Sequence, residues 1–447
     1  MKSLLLGNAR IVNEGDSFLG YVGIRDGKID KIGKGDAPAE VTGLYDAADD
    51  IEGKLLIPGV IDDQVHFRDP GLTHKADMQT ESRAAVAGGV TSFMDMPNTK
   101  PQTVAIEAWK NKCRRAEEVS VANYAFFIGA TKDNIDELRH ADFSRIPGVK
   151  VFLGASTGNM LVDSEEALDR IFSLPALVAI HSEDEQTIRR NAAEAREKYG
   201  DNVPIEMHPE IRSAEACIKS TGAAIARAKR LGTRLHILHL STAGEAQMLE
   251  SGDCTQKQIT GEACVHHLWF TDADYGRLGT RIKWNPAVKT ESDRAELRKA
   301  LRDGRIDIVA TDHAPHLLSE KEGDALHAAS GGPLVQYSLL VMLELARQGV
   351  FSTEEVVKFM CHNPARLFGV EKRGFIREGY YADLVVIDPE GKTVASASDV
   401  LSRCGWTPFE GTEFSARVER TYVNGEEAFR GGKVNDAVRG MPLRFKR

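Results

Sequence analysis

At 447 residues, 42% hydrophobic and 28% charged, the chain is long enough for one large domain plus something smaller, and this composition excludes a disordered or fibrous polymer. A formal net charge of -9 argues against a general binder of nucleic acid or membrane surface, because both need a positive field. Six cysteines without CxxC pairs read as reduced thiols, and no stretch approaches the ~20 apolar residues of a membrane span or forms a signal-peptide core, so a cytoplasmic protein is expected.

Residues 1 to about 56 contain "SLLLGNARIVN" and "GYVGIRDGKIDKIGKG", short strands joined by Asp-Gly and Gly-Asp turns. About eight apolar, β-rich runs follow: 59–67, 90–96, 123–129, 148–154, 177–183, 235–241, 258–267 and 307–313. The segments between them read as helices. "KADMQTESRAAVAGG" has an Ala-rich centre and a Gly-Gly stop, and "SEEALDRIF", "SAEACIKSTGAAIARAKRLG" and "ESDRAELRKALRDG" open on an early acid. The longest interruption, 184–209, is a charged helix-like insertion.

This alternation predicts an α/β protein with a (β/α)8 TIM-type barrel over residues 57–374. The tail returns to strand texture in "YYADLVVIDPE" and "RVERTYVNGEEAFRGGKV", where Asn-Gly signals a hairpin. Neither end alone can build a good core, so residues 1–56 and 375–447 are expected to combine into one small β-sandwich.

In such a barrel, functional side chains gather where strands end and loops leave. His66 ends the first strand, His181 the fifth, His239 the sixth and Asp312 the eighth, while Lys150 sits in the fourth. Taken singly, a strand-end histidine is more often a hydrogen-bonded core residue, and an Asp before a loop is more often a helix cap. Their recurrence at one level of successive strands is what points to a metal centre. Neutral imidazole and carboxylate suit zinc or a similar divalent ion, and two such ions need a bridging anion. A lysine ordinarily repels metals, but a buried one with a depressed pKa can add CO2 and become an anionic carbamate.

"PGVIDDQVHFRDPGLTHKADM", "DMPNTKP", "GVKVF", "HSE", "HLST", "VHHL" and "TDHAPH", in this order, resemble the dihydroorotases of the amidohydrolase superfamily over nearly the whole chain. The resemblance implies a zinc centre of one or two ions per subunit. His66 would serve one ion, His181 and His239 the other, with carboxylated Lys150 between them and Asp312 both ligating and moving protons. It implies that Arg68, Asn98 and His316 hold a substrate carboxylate, a role that the guanidinium fork suits. Asn285 in "IKWNPAVK" resembles the segment that contacts the substrate ring, though Asn-Pro is equally a turn signal.

The implied reaction interconverts N-carbamoyl-L-aspartate and L-dihydroorotate, with Asp312 as general base and then acid. The implied assembly is a homo-oligomer, a dimer or tetramer, which could associate with aspartate transcarbamoylase. The alternative enzyme is a hydantoinase, dihydropyrimidinase or allantoinase, which shares the ligands but acts on rings without the carboxylate. The alternative of another class is a catalytically silent partner subunit, and Gln64 is its only support. Gln64 stands where the common pattern has the first metal-binding histidine, and an amide oxygen is a poor zinc ligand. Of the remaining candidates, His266 and His267 are expected to pack beside the pocket with His267 inward, and Thr157 and Gly158 to lie on the loop after Lys150. "HAASGGP" and the loop near "STGNM" are candidate lids.

Overall fold

The structure is a computed structural model that describes residues 3–154, 160–162 and 164–447. The N-terminal segment is a meander of β1 (Leu4–Asn13), β2 (Asp16–Arg25) and β3 (Lys28–Lys34), each pair antiparallel. Both connections are two-residue turns with positive φ at each position, Glu14-Gly15 (53° and 80°) and Asp26-Gly27 (50° and 75°). Such turns match the strands' right-handed twist. β4 (Ala47–Asp50) and β5 (Leu55–Pro58) run parallel to β1.

The chain then enters the parallel part. β6 (Val60–Val65), β7 (Val90–Asp95) and β8 (Asn123–Phe126) form one sheet. β9 (Ile128–Gly129), which continues β8 after a single residue, opens a second sheet with β10 (Val149–Phe152), β11 (Val178–His181), β12 (Leu235–Ile237), β13 (Ile259–Cys264) and β14 (Ile308–Ala310) in neighbouring order. At the far edge, Val65 bridges His313 in parallel and the His66 N–H donates to the His313 carbonyl at 2.7 Å. With β8 and β9 taken as one interrupted strand, the parallel strands fill eight positions, as the alternation predicts.

Parallel strands covered on both faces are normally apolar throughout. β6 breaks that rule with buried Asp62, Asp63 and Gln64, which marks its inner face as a polar site. The expected strands 235–241 and 307–313 end early, at Ile237 and Ala310. His239 (φ 39°) and Asp312 (φ 49°) just beyond adopt left-handed backbone, which no strand can continue through.

The helices follow the sequence signals. Ser164 caps Glu165–Phe172, Ser213 caps Ala214–Leu231, and the latter ends at Gly232 with φ 72°. The charged insertion is a helix, Glu185–Tyr199, capped by Asp184. Among the described residues no helix is long and apolar enough to cross a membrane.

The tail supplies β15 (Leu384–Asp388), a separate two-stranded ribbon of β16 (Thr393–Val394) and β17 (Glu413–Phe414), then β18 (Arg417–Val423), β19 (Glu426–Arg430) and β20 (Lys433–Val434). β15 pairs antiparallel with β5, so both chain ends join one nine-stranded sheet. Its apolar face is built from both ends, with Leu6, Ile11, Val22 and Leu56 meeting Leu384, Val386 and Tyr422. This joint core is what neither end could make alone.

Candidate metal centre and anion clamp

The residues at the C-terminal ends of the parallel strands converge on a cavity of about 330 Å³. Gln64, His66, Arg68, Asn98, Lys150, His181, His239, Asn285, Asp312 and His316 all line it, so the residues read from the sequence as metal ligands and substrate contacts are brought to one place. A larger groove of about 820 Å³, around Phe375 and Arg377, contains none of them, and the chemistry rather than the size selects the site.

Two pairs of electron-pair donors face each other. His66 donates its Nδ1 proton to Asn98 Oδ1 at 2.8 Å, which turns the Nε2 lone pair toward Asp312 Oδ1 at 3.1 Å. His181 donates from Nε2 to Glu183 Oε2 at 2.9 Å, which turns Nδ1 toward His239 Nε2 at 3.0 Å. Lone pairs held this close in a buried site need a proton or a cation between them. A carboxylate or amide behind the ring, as His181 and His66 have, is the arrangement that orients metal-binding histidines; His239 Nδ1 has no such partner among the described residues. Burial pushes the His181 and His239 pKa values down, which favours the neutral rings that ligation requires.

Lys150 is fully buried, and its Nζ lies 4.6 Å from the Phe152 ring centre. Burial pushes its pKa down to about 7 against the opposing pull of Glu262 and Asp312. It is therefore a largely uncharged amine above neutrality, the state that adds CO2. The donor set fits a divalent metal on each side, with one exception. Gln64 does not replace the missing histidine: its Nε2 donates toward Asp312 Oδ1 at 3.4 Å, while its Oε1 faces the Cys264 thiol at 3.6 Å.

Part of the same lining is cationic. Arg68 is buried at φ 65°, with Nε donating to the Pro315 carbonyl at 3.2 Å and Nη2 lying 3.2 Å from His316 Nε2. Arg68, His239 and Asp312 thus all hold the left-handed backbone that L side chains rarely adopt, at a cost of roughly 1–3 kcal/mol each. Asn98 spends its oxygen on His66, leaving its NH2 group for a second acceptor. Asn285 Oδ1 is shielded from solvent and has no hydrogen-bond partner among the described residues.

Some residues of the site carried no assignment from the sequence. Glu183, two residues after His181, shares its carboxylate between that ring and Arg212, and Arg212, just beyond the insertion, lines the cavity. The period of two along the extended chain through "HSE" could have flagged Glu183. Arg212 has no local signal. Lys75, seven residues after Arg68, reaches His316 at 3.1 Å. Ala329 and Ser330 of "HAASGGP" line the cavity. Beneath the centre, Asp63, His236 and Glu262 form a fully buried cluster with ligand atoms within 4.8 Å of one another. Glu262 there accepts the backbone N–H of His239 at 3.1 Å and so supports that residue.

His266 and His267 are absent from the cavity lining, as packing predicts. His266 stacks on Trp284 with ring centres 4.7 Å apart, and His267 Nε2 meets the Pro286 carbonyl at 3.1 Å. Thr157 and Gly158 lie outside the described residues.

Paired imidazoles, a carboxylate and a buried lysine at the strand ends of a parallel α/β barrel define a metal-dependent hydrolase type of site. The sequence profile described as Amidohydrolase family matches residues 55–428, and the chain belongs to that family. Within it, the chain is 32% identical to a dihydroorotase of Methanosarcina acetivorans over 97% of its own length and 94% of that protein. It is 38% identical to a dihydroorotase of Halobacterium salinarum over 80% and 82%. Among solved structures, the L-hydantoinase (dihydropyrimidinase) of Arthrobacter aurescens superposes with a TM-score of 0.89 at 25% identity, covering 97% of this chain and 98% of that one. The dihydropyrimidinase of Brevibacillus agri, at 24% identity with both chains fully covered, gives 0.88 and shares the fold.

Proposed function

We propose that the protein is a dihydroorotase, interconverting L-dihydroorotate and N-carbamoyl-L-aspartate. The observation that carries this reading is the buried Arg68, set with His316 and the free amide of Asn98 in the cavity that the His66–Asp312 and His181–His239 pairs also line. Arg68, His316 and the Asn98 amide are donors lining one cavity and suit a carboxylate on the ring, and rings without a carboxylate give a buried guanidinium nothing to bind. The full-length likeness to proteins named dihydroorotase supports the same choice.

His66 and Asp312 on one side, and His181 and His239 on the other, would hold zinc, with Lys150 as its carbamate between them. The metal, when bound, supplies Lewis acidity to the attacking water and to the scissile amide carbonyl. Arg68, Asn98 and His316 anchor the carboxylate and so present the adjacent ring amide to Asp312. Asp312 takes the proton from water and returns it to the leaving nitrogen, or runs the reverse sequence on cyclisation. Asn285 offers its unsatisfied Oδ1 to a ring N–H. With Gln64 turned away, the His66 side has one ligand fewer than the common pattern.

The hydantoinase-like fold neighbours keep a second reading alive, hydrolysis of an uncharged cyclic amide. Assaying the purified protein on L-dihydroorotate, hydantoin, dihydrouracil and allantoin separates the two, and turnover confined to the uncharged rings overturns the first.

We read residues 57–374 as the barrel domain and residues 1–56 with 375–447 as the β-sandwich-type unit, supported by the pairing of β5 with β15. We read the protein as a cytoplasmic homo-oligomer. Light scattering tests the oligomer, and co-elution tests the association with aspartate transcarbamoylase, which rests on the sequence resemblance alone.

A further inference from the structure

We propose that Lys75 is a positioning residue that fixes the tautomer of His316 and thereby makes Arg68 and His316 a two-donor receptor for a carboxylate; the proposal rests on the anion-clamp reading above. Lys75 is buried, with Nζ 3.1 Å from His316 Nδ1 and 3.1 Å from Glu320 Oε1. An ammonium group has only donors, so Nδ1 must present its lone pair to it. The Glu320 carboxylate is what keeps that ammonium charged in a site where burial and Arg68 both push its pKa down.

His316 itself is held neutral by burial and by the charges of Arg68 and Lys75, so it carries a single ring proton. With Nδ1 accepting, that proton is on Nε2, which points at Arg68 Nη2 only 3.2 Å away. Guanidinium nitrogens also only donate. Two N–H groups therefore converge at the cavity wall, where an anionic oxygen can accept from both in place of the Ser330 carbonyl. Glu320 Oε2 lies 3.5 Å from His316 Nδ1, longer than an ordinary N–H···O hydrogen bond, and accepts the Leu317 N–H at 2.8 Å.

The backbone around the ring is pinned. Trp406 donates to the His316 carbonyl at 2.7 Å and Arg68 donates to that of Pro315, while Ser330, whose backbone carbonyl accepts a ring N–H, lines the same cavity. The ring is thus fixed in place by its neighbours, and Lys75 decides which of its nitrogens carries the proton. Without Lys75 the ring can hold its proton on Nδ1 and present a lone pair to the substrate carboxylate, turning attraction into repulsion.

The test is steady-state kinetics of Lys75→Met and Lys75→Arg on L-dihydroorotate, with circular dichroism to confirm folding. Lys75→Met should raise KM about tenfold or more, the loss of one charge-assisted hydrogen bond, with kcat within about threefold. Lys75→Arg, which restores a donor, should recover most of the KM. An unchanged KM, a fall confined to kcat, or no difference between the two variants overturns the proposal. A second measurement needs no variant of Lys75. In ¹⁵N-histidine-labelled wild-type protein, with His316 assigned through His316→Gln, the ring should show the neutral Nε2–H pattern, and an Nδ1–H pattern overturns the proposal. If the wild-type enzyme leaves L-dihydroorotate untouched, the functional reading fails, while the tautomer measurement still decides the role of Lys75.

Discussion

Gln64 directs its amide nitrogen to Asp312 Oδ1, 3.4 Å away, and its oxygen to the thiol of Cys264. A carboxylate accepts and a thiol donates, so these neighbours fix which end of the amide points where. Gln64 therefore orients the Asp312 carboxylate and turns its own oxygen away from it. Gln64→His should add the missing ligand and tighten zinc on the His66 side by about tenfold or more, judged against the effect of lesser supporting contacts at metal sites. Titration of metal-stripped protein against a chelator reads this directly. Substrate preference should stay the same, and an unchanged zinc affinity would count against the geometry.

Arg68→Ala removes the centre of the clamp. Hydrogen bonds to charged groups are worth about 1.5–3 kcal/mol, so kcat/KM for L-dihydroorotate should fall roughly 10- to 150-fold, mostly through KM. Any residual turnover of hydantoin, which has no carboxylate to lose, should change little. Equal losses on both substrates would mean that Arg68 supports the fold of the site rather than the anion.

The strand-end residues were readable from the sequence because their spacing is local. A histidine or aspartate closing an apolar run needs only the strand period and the barrel's polarity to be placed. Glu183 and Lys75 sat inside quoted motifs, yet their roles depend on Arg212 and His316, which no local period links to them. The shortened β12 and β14 were missed for a related reason. Apolar composition predicts that the strand continues, whereas the backbone turns left-handed at His239 and Asp312 to aim their side chains inward. The joint core of the two chain ends was inferable only as a necessity, since each end carries half of an apolar face.

Lys150 carries a pH dependence of definite sign. Its amine is held down to about 7 by burial, so at pH 8 it is largely neutral, whereas an ordinary lysine there is almost wholly charged. Carbamate formation consumes the neutral amine, so occupancy should rise with pH through about 7 and fall below it, and added bicarbonate should restore some of it at a given pH. A ¹³C-bicarbonate carbamate resonance absent from Lys150→Ala checks this. Activity that is the same at pH 6 and pH 8, with no such resonance, would remove the bridge from the proposed centre.

Glu183 stabilises the site from behind, and its sign is the reverse. Burial alone would raise its pKa, but the charge of Arg212 and the hydrogen bond from His181 outweigh it and hold the carboxyl at about 2 rather than 4.5. A carboxyl with a depressed folded pKa contributes stability that is fully present above its unfolded value and lost as pH falls toward the folded one. The window here is therefore pH 4.5 down to about 2, and the contribution is on the order of 3 kcal/mol. Glu183→Gln lacks this term, so in metal-stripped protein its deficit in unfolding free energy relative to wild type should be constant above pH 5 and start to shrink below 4.5. Urea titrations at pH 7, 5, 4 and 3.5 measure that gap. A deficit that stays constant down to pH 3.5 would show that the carboxylate of Glu183 is not what Arg212 and His181 hold in its charged form.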